Sequence, residues 1–560
     1  MKALWVLFTA VIVLIACGQP AASPIRSADS APDGSAPIAP KTLIIALEGE
    51  PGNLDSGIEG GGLSPTGVQL AVHDRLAGYN ERGQLVPRLA VSLPSQTDGT
   101  WIIRPNGTMQ TTYRIHRNVI WHDGTPLTSR DFVFALTMHQ DKDLPVGPRT
   151  SAAALERIET PDDFTLIMVI DEDLGPLPAH ILDPPYREDK ERFVTLPYWK
   201  REFIGVGPYR VVEWEPGSHL TVKAHEQYYG GRPKIETVQF RFIPNPATAM
   251  ANLLAGAIDG VIPRAVDFSQ AMFVKDEWLR AGKQPSVFVE PTHWRLLSIQ
   301  FREGRTDPPE LRDVQVRRGL LHAIDRTALV NALLDGQAPI SDGIIPPVDP
   351  KWDWVKDVAI RYDYDPRRAL ELLRSVGWQR SDGGPLVNAN GQQVSISTWT
   401  TPGEQNVQEQ AIVSDYWKAL GINVIQTIIP QAQQRDRELR TAYPAFDQTS
   451  VPLAGATSLY RVHSAHCARE PQWNGNNRGC YENPAMDRIV DGLALAINPD
   501  EERRLFRDLI RFYAEELPVL PLYFNVEVTV FRDGITGLKG NSKPRTSHTW
   551  NIQEWDVVDR

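Results

Sequence analysis

The stretch GVGPYRVVEWEPGSHLTVKAHEQYYGGRPKIETVQFRFI, residues 205 to 243, sets short β-rich runs between Pro-Gly and Gly-Gly-Arg-Pro breaks, the pattern of a meander of antiparallel strands. PATAMANLLAGAIDG follows at once. In it Met250, Leu253, Leu254 and Ile258 make an apolar stripe at helical spacing, with Gly256 and Gly260 flanking its end. Further helices are predicted over residues 314 to 336, over 365 to 378 with Pro366 at a first helical position, and over EERRLFRDLIRFYAEEL before Pro518. Strand-like runs lie at TLIIALEGEPGNLD (42 to 55), Leu85 to Leu93, Met109 to Ile115 and VLPLYFNVEVTVF. Strands and helices alternate without an internal repeat, so the fold class is α/β in several lobes, with mixed sheets and flanking helices.

At 560 residues the chain is too long for one compact core, and two or three domains are expected. Lys and Arg number 58 against 69 Asp and Glu, a formal charge of −11 with no acidic tail and no basic stripe, which argues against a nucleic-acid partner. The N-terminus has the shape of an export signal, residues 1 to 17: Lys2, an apolar run from Ala3 to Ala16, then Cys17. That run is shorter than the roughly 20 apolar residues of a membrane-spanning helix. Leu14-Ile15-Ala16-Cys17 resembles the bacterial lipobox, in which the cysteine receives lipid. Residues 18 to 40, rich in Pro, Ala and Ser, read as a flexible tether. The chain is therefore expected to be exported and lipid-anchored at the outer face of the cytoplasmic membrane. With Cys17 so used, Cys467 and Cys480 remain as a disulfide pair in an oxidising compartment, and the alternative is a metal site drawing on His463 and His466.

VIWHDGTPLTSRDFVFAL, residues 119 to 136, places His122 beside Asp123, a pair that could ligate metal. Asp123-Gly124 is turn chemistry, and Thr128 with Asp131 makes a capping box ahead of Phe132, Phe134, Ala135 and Leu136. The pair is read as a turn before a capped helix. No GxSxG elbow, P-loop, HExxH or GxGxxG pattern occurs, so no enzyme, resident metal or cofactor is expected. The rival from another class is an exported hydrolase assembled from distant residues.

Several separated segments resemble one family: LEGEPGNLD, WHDGTPLTSRDFVFAL, GVGPYRVVEWEPGSHLTV, YYGGRPKIETVQF, LLAGAIDG, VRRGLLHAIDR, YDYDPRRALELLRSVGW and NPAMDRIVDGL, in family order. The chain resembles the extracytoplasmic solute-binding proteins, family 5, of the oligopeptide, dipeptide and nickel ABC importers. The resemblance implies a two-lobed, class II-like periplasmic-binding-protein clamp with an extra inserted domain. Lobe I would comprise residues 41–77, 205–290 and 518–560, the insert 78–204 and lobe II 291–517. It implies a monomer that delivers a peptide or small organic solute to the permease subunits of an importer.

By the same resemblance the loop carrying Glu50, Gly52 and Asn53 lines the cleft from lobe I, and His293, Trp294, Trp399 and Thr400 approach from lobe II. Many peptide-binding members carry an aspartate for the peptide's ammonium group in the region that here reads AFDQTSVPLAGATSLYRVHSAHC, and beyond Asp447 no acid stands there. Recognition of a free N-terminus is thereby put in question, because a buried ammonium without a carboxylate is costly. Arg461 is a candidate for an anionic group. A sugar or a metal chelate on the same fold is the alternative solute, with His293, His463 or His466 as metal candidates.

Overall fold

The computed structural model describes residues 41–54, 67–104, 109–145, 158–168, 175–453, 459–496, 498–540 and 548–558; the signal, Cys17 and the tether lie outside them. Ten strands form one mixed sheet: β1 (Thr42–Leu47), β2 (Tyr209–Glu215), β3 (His219–Ala224), β4 (Thr237–Phe242), β5 (Gly260–Val261), β6 (Ser286–Ile299), β7 (Ser395–Thr400), β8 (Asn423–Ile428), β9 (Phe446–Pro452) and β10 (Val519–Phe531). Their order across the sheet is β8-β7-β9-β6-β10-β5-β1-β4-β3-β2. The predicted meander is β2, β3 and β4, antiparallel to one another, with β4 docked parallel to β1.

The helices that position the sheet are α1 (Ser129–Gln140), α2 (Pro246–Leu254), α3 (Phe268–Arg280), α4 (Val314–His322), α5 (Arg326–Leu334), α6 (Pro366–Ser375), α7 (Glu404–Ala419), α8 (Pro484–Leu495) and α9 (Pro499–Glu516). The expected single helix over 314 to 336 is two, because Asp325 caps a new start by accepting from the Ala328 N–H. The stripe on α2 is also corrected. Ala249 and Leu253 are buried, whereas Leu254 turns outward, since residues 249 and 253 stand one turn apart and 254 falls off that face. Of the run Leu85 to Leu93 only Leu85–Pro87 is a strand.

β6 and β10 are the longest strands and pair antiparallel from Ser286 opposite Phe531 to Ser298 opposite Val519. The ribbon they make is apolar at both ends and polar in its middle. At one end Val528 and Val530 pack with Ala249, Leu253, Val274 and Trp278 of α2 and α3. At the other, Leu297, Ile299, Leu520 and Leu522 pack with Leu320, Leu373, Ile396 and Trp417 of α4, α6, β7 and α7. Trp294, Leu296, Val451 and Phe524 face the other side, against Leu509 and Tyr513 of α9. Between the ends lie Glu290, Thr292 and His293, Asn525 and Glu527, with a register shift between Pro291 and His293.

The inserted segment folds around a four-stranded sheet, Trp101–Ile103, Met109–Arg114, Thr165–Met168 and Glu159–Asp162 in that spatial order, and shares a core with β1 to β4. The capping box of Thr128 and Asp131 starts α1. His122 ties the turn to the main chain and is not a ligand in waiting. Its Nδ1 accepts from the Gly205 N–H (3.1 Å), so its Nε2 carries the proton and donates to the Gly207 carbonyl (3.0 Å). Burial pushes its pKa down to about 3, which keeps the ring neutral. Both glycines are required by space: a Cβ at Gly205 would stand 1.9 Å from the Val72 carbonyl oxygen, and one at Gly207 2.4 Å from the Val72 carbonyl carbon.

On the α7 side of the ribbon Arg295 is held bidentately by Glu409 (2.8 and 2.9 Å), which also accepts from Gln448 Nε2 (2.9 Å) and the Tyr523 hydroxyl. One carboxylate thus ties α7 to three adjacent strands with no solvent contact. Glu409→Gln leaves the Arg295 guanidinium buried without its counter-charge. The expected outcome is destabilisation by about 3–5 kcal/mol, read as a fall in the thermal midpoint, and Arg295→Met in the same chain should recover part of it.

Candidate functional site

In open α/β sheets ligands sit outside the carboxyl ends of parallel strands. Here two such sets converge. β1 and β5 run parallel, and both point toward the polar middle of the β6–β10 ribbon, ending at Leu47 and Val261. From the opposite half β7, β8 and β9 run parallel and end at Thr400, Ile428 and Pro452, the last opposite His293. The ends of β1 and β5 on one side, and the end of β9 on the other, thus lie beside the middle of the ribbon.

The side chains gathered there are charged. Arg264, which follows β5, lies 3.2 Å from Glu48. Glu527 sits on β10 with His293 Nδ1 at 3.8 Å and the Thr292 hydroxyl as a hydrogen-bond donor. Gln405, in the first turn of α7, donates to Asn525 (2.7 Å) and to the Tyr523 hydroxyl (3.0 Å), which brings the start of that helix to the waist. Burial pushes the Glu48 and Glu527 carboxyls above the ordinary carboxylate range, and the Arg264 charge offsets part of that.

The residues expected from sequence divide. His293 is at the waist, half-buried, with Thr292 Oγ1 2.9 Å from its Nδ1. Trp399 is half-buried one position from the end of β7, its indole N–H donating to Ser397 Oγ (3.1 Å). Glu50, Gly52 and Asn53 lie in the loop after β1. The Glu50 carboxylate accepts from Trp214 Nε1 (2.7 Å) and the Gly217 N–H (2.9 Å), so it braces the β2–β3 turn.

Two expectations are corrected. Trp294 is 1% exposed in the core it shares with α9, its indole N–H donating to Ser341 Oγ (2.6 Å) and its ring edge-on to Tyr513. Thr400 is fully buried on the face that carries Ile396, so its side chain is inside and not at the surface. In each case the period of two along the strand turns the residue to the packed face. Arg461 lies part-buried in the 3-10 turn Tyr460–Val462, with Asp447 among its charged neighbours.

Cys467 and Cys480 form a disulfide. His463 accepts from the Ala465 N–H at Nδ1 and meets Asp491 at Nε2 (3.0 Å), while His466 stacks on Tyr460. Among the described residues the one cluster with metal-ligand spacing is Cys467, Cys480 and Glu482, and its sulfurs are spent in the disulfide. Sequence reading missed Glu48, Arg264, Gln405, Asn525 and Glu527. The signal was there in part: in NVEVT the polar residues fall on alternate positions of an otherwise apolar strand.

The model of the bacterial extracellular solute-binding proteins, family 5, matches residues 84–452. Among curated proteins, the oligopeptide-binding protein AppA of Bacillus subtilis is 22% identical, the match covering 97% of this chain and 97% of that protein. Protein XP55 of Streptomyces lividans is 26% identical over 84% of this chain and 81% of its own length. Among solved structures, AppA of Bacillus subtilis in complex with a nonapeptide superposes with a TM-score of 0.68 at 20% identity, covering 93% of this chain and 100% of that one. NikZ of Campylobacter jejuni in complex with Ni(L-His) gives 0.70 at 21%, with the same coverage. This chain shares their two-lobed fold. Among the described residues no helix is long and apolar enough to cross a membrane.

Glu527 supplies a pH test of the waist. A carboxyl whose folded pKa is raised contributes stability below its unfolded pKa and loses it as pH rises through the folded value. Glu527→Gln is therefore expected to raise the thermal midpoint at pH 7, with the gain shrinking toward zero as pH falls through the carboxylate range; a series of melts from pH 4 to 8 reads it.

Proposed function

The chain belongs to the bacterial extracellular solute-binding proteins of family 5, and from that premise we propose that it is the substrate-binding lipoprotein of an ABC importer. It captures an extended organic solute, a peptide foremost, between two lobes and delivers it to the membrane permease. It acts by binding, without turnover. The observation that carries this reading is the polar waist itself, a charged stretch where two separately packed cores meet and two sets of strand ends converge. The lobes are residues 41–77, 205–290 and 518–560, and 291–517, with 78–204 inserted. They close by bending at the register shift after Pro291, and bound solute shifts the population toward the closed form by its higher affinity for that form. Cys17 carries the lipid anchor at the outer face of the cytoplasmic membrane, and the protein works as a monomer.

Within this reading the solute's cationic group meets Glu527 and Glu48. The one acid in 445–467, Asp447, is not available for it, because Arg440 Nη2 donates to both of its oxygens (2.7 and 3.0 Å). The loop from Glu48 to Asn53, His293 and Trp399 line the path of the chain, which main-chain hydrogen bonds hold and aromatic surface supports. A second reading, a metal chelate in the same cleft, is favoured by one observation: NikZ, on the same fold, is complexed with Ni(L-His).

The test is native mass spectrometry of the full-length protein purified without denaturation, followed by titration with trialanine and N-acetyl-trialanine. The peptide reading expects a ladder of retained peptide masses. It also expects roughly tenfold to hundredfold weaker binding of trialanine to Glu527→Gln, with the acetylated peptide unaffected, the range expected for one charged hydrogen bond. A single metal-containing mass supports the chelate reading. Consumption of the added peptide sinks the binding-protein reading.

A further inference from the structure

The far edge of the ten-stranded sheet carries positive charge that the waist does not use. β2 and β3 are the last strands there, separated from the β6–β10 ribbon by β5, β1 and β4. Arg210 on β2 stands directly opposite Lys223 on β3, both exposed, and neither side chain has an ion pair or a hydrogen bond among the described residues. Like charges so opposed destabilise the strand pair. The nearby acids are engaged by another cation: Arg232 Nη2 donates to Glu226 (3.0 Å) and to Glu236 (2.7 Å). Three cations therefore face two carboxylates, and both carboxylates belong to Arg232.

These side chains wall a cavity of about 200 Å³, which Arg210, Lys223, His225, Glu226 and Glu236 line from the meander and His122 lines from the turn ahead of α1. One ordered water needs roughly 10–15 Å³ of such space, so there is room for a polyatomic guest. His225 stands in the wall and is only 7% exposed. Its main-chain N–H is held by the Pro208 carbonyl, whereas its ring Nε2 is enclosed and has no hydrogen-bond partner. A polar atom in that position is costly unless something meets it. The His122 ring, 5.2 Å away between ring centroids, does not, because both of its nitrogens are spent on Gly205 and Gly207. Burial and the Arg210 charge push the His225 pKa below its ordinary value, which leaves a neutral imidazole able to carry its proton on Nε2 and donate from it.

We propose that Arg210, Lys223 and His225 form a binding site for a small phosphate-type oxyanion at the outer edge of the sheet, outside the cleft. The guanidinium fork of Arg210 takes two oxygens, Lys223 acts across the ladder as a point charge, and Nε2 of His225 donates to a further oxygen. A phosphate has oxygens enough for all three groups at once, where a carboxylate has two. The ion supplies the negative charge that Glu226 and Glu236, engaged by Arg232, do not supply to the opposed pair.

The test uses the full-length protein and inorganic phosphate. The thermal midpoint is followed as phosphate replaces chloride at constant ionic strength, in wild type, Arg210→Gln and Lys223→Gln. In parallel, spectra of wild type carrying nitrogen-labelled histidine follow the ring signal of His225, assigned by its loss in His225→Gln. The site expects a saturable rise of the midpoint in wild type and a movement of the His225 signal along the same curve. In each variant half-saturation moves up about tenfold to a hundredfold, the range for one charged hydrogen bond. In chloride alone both variants melt no lower than wild type, because each removes one of two opposed like charges. Phosphate also stabilises folded proteins by exclusion from their surface, so a rise that is the same in all three proteins overturns the site. A variant that melts below wild type in chloride overturns the unrelieved pair and the proposal with it. An unmoved His225 signal overturns the proposal whatever the midpoints do.

Discussion

The pairing of β6 with β10 is the constraint on which the rest of the structure depends. These strands, 14 and 13 residues long, carry one hydrogen-bonded ribbon from the core around α2 and α3 into the core around α4, α6 and α7. Each end is pinned by apolar burial, which resists slippage because a shift of one residue would turn every valine and leucine to the wrong face. The middle has no such burial. Glu290, Thr292, His293, Asn525 and Glu527 face one another there, and Pro291 contributes no N–H to the ladder. The ribbon is pinned at both ends and its register shifts twice between them, after Pro291 and after Arg295.

Electrostatics follow from that geometry. The ends of β1, β5 and β9 lie beside the stretch of the ribbon where Glu290, Thr292, His293, Asn525 and Glu527 stand, so charged and polar side chains collect there. Glu48 and Glu527 are enclosed enough to resist ionisation and only partly compensated by Arg264. Glu409, deeper on the α7 side, is compensated fully by Arg295, Gln448 and Tyr523, and its work is to hold the helix against the sheet. The contrast separates a carboxylate held in a fully buried network from two that are part-buried, Glu48 beside Arg264 and Glu527 beside Thr292 and His293.

Much of the fold was legible locally. The meander at 205 to 243, the capping box of Thr128 and Asp131 and the Pro366 helix start each rest on residues within a few positions of one another, and each is present. The break between α4 and α5 was hidden, because the apolar period continues through Ala323 and Ile324 while only the Asp325 side chain reveals a new cap. Trp294 and Thr400 were misassigned for a related reason: which face of a strand is covered depends on what packs there, and α9 and α7 come from distant sequence. The waist was the least legible part. Glu48 and Glu527 are neighbours only because β1, β5 and β10 share a register, and no local pattern encodes that.

The same reasoning explains why His122 misleads as a motif and informs as a structure. Beside Asp123 it has the look of a metal ligand, yet both ring nitrogens are consumed by the main chain at Gly205 and Gly207, and those glycines are themselves pressed against Val72. The turn that carries His122 is thereby locked to the segment leading into β2 through contacts that tolerate neither a side chain at the glycines nor a charge on the imidazole.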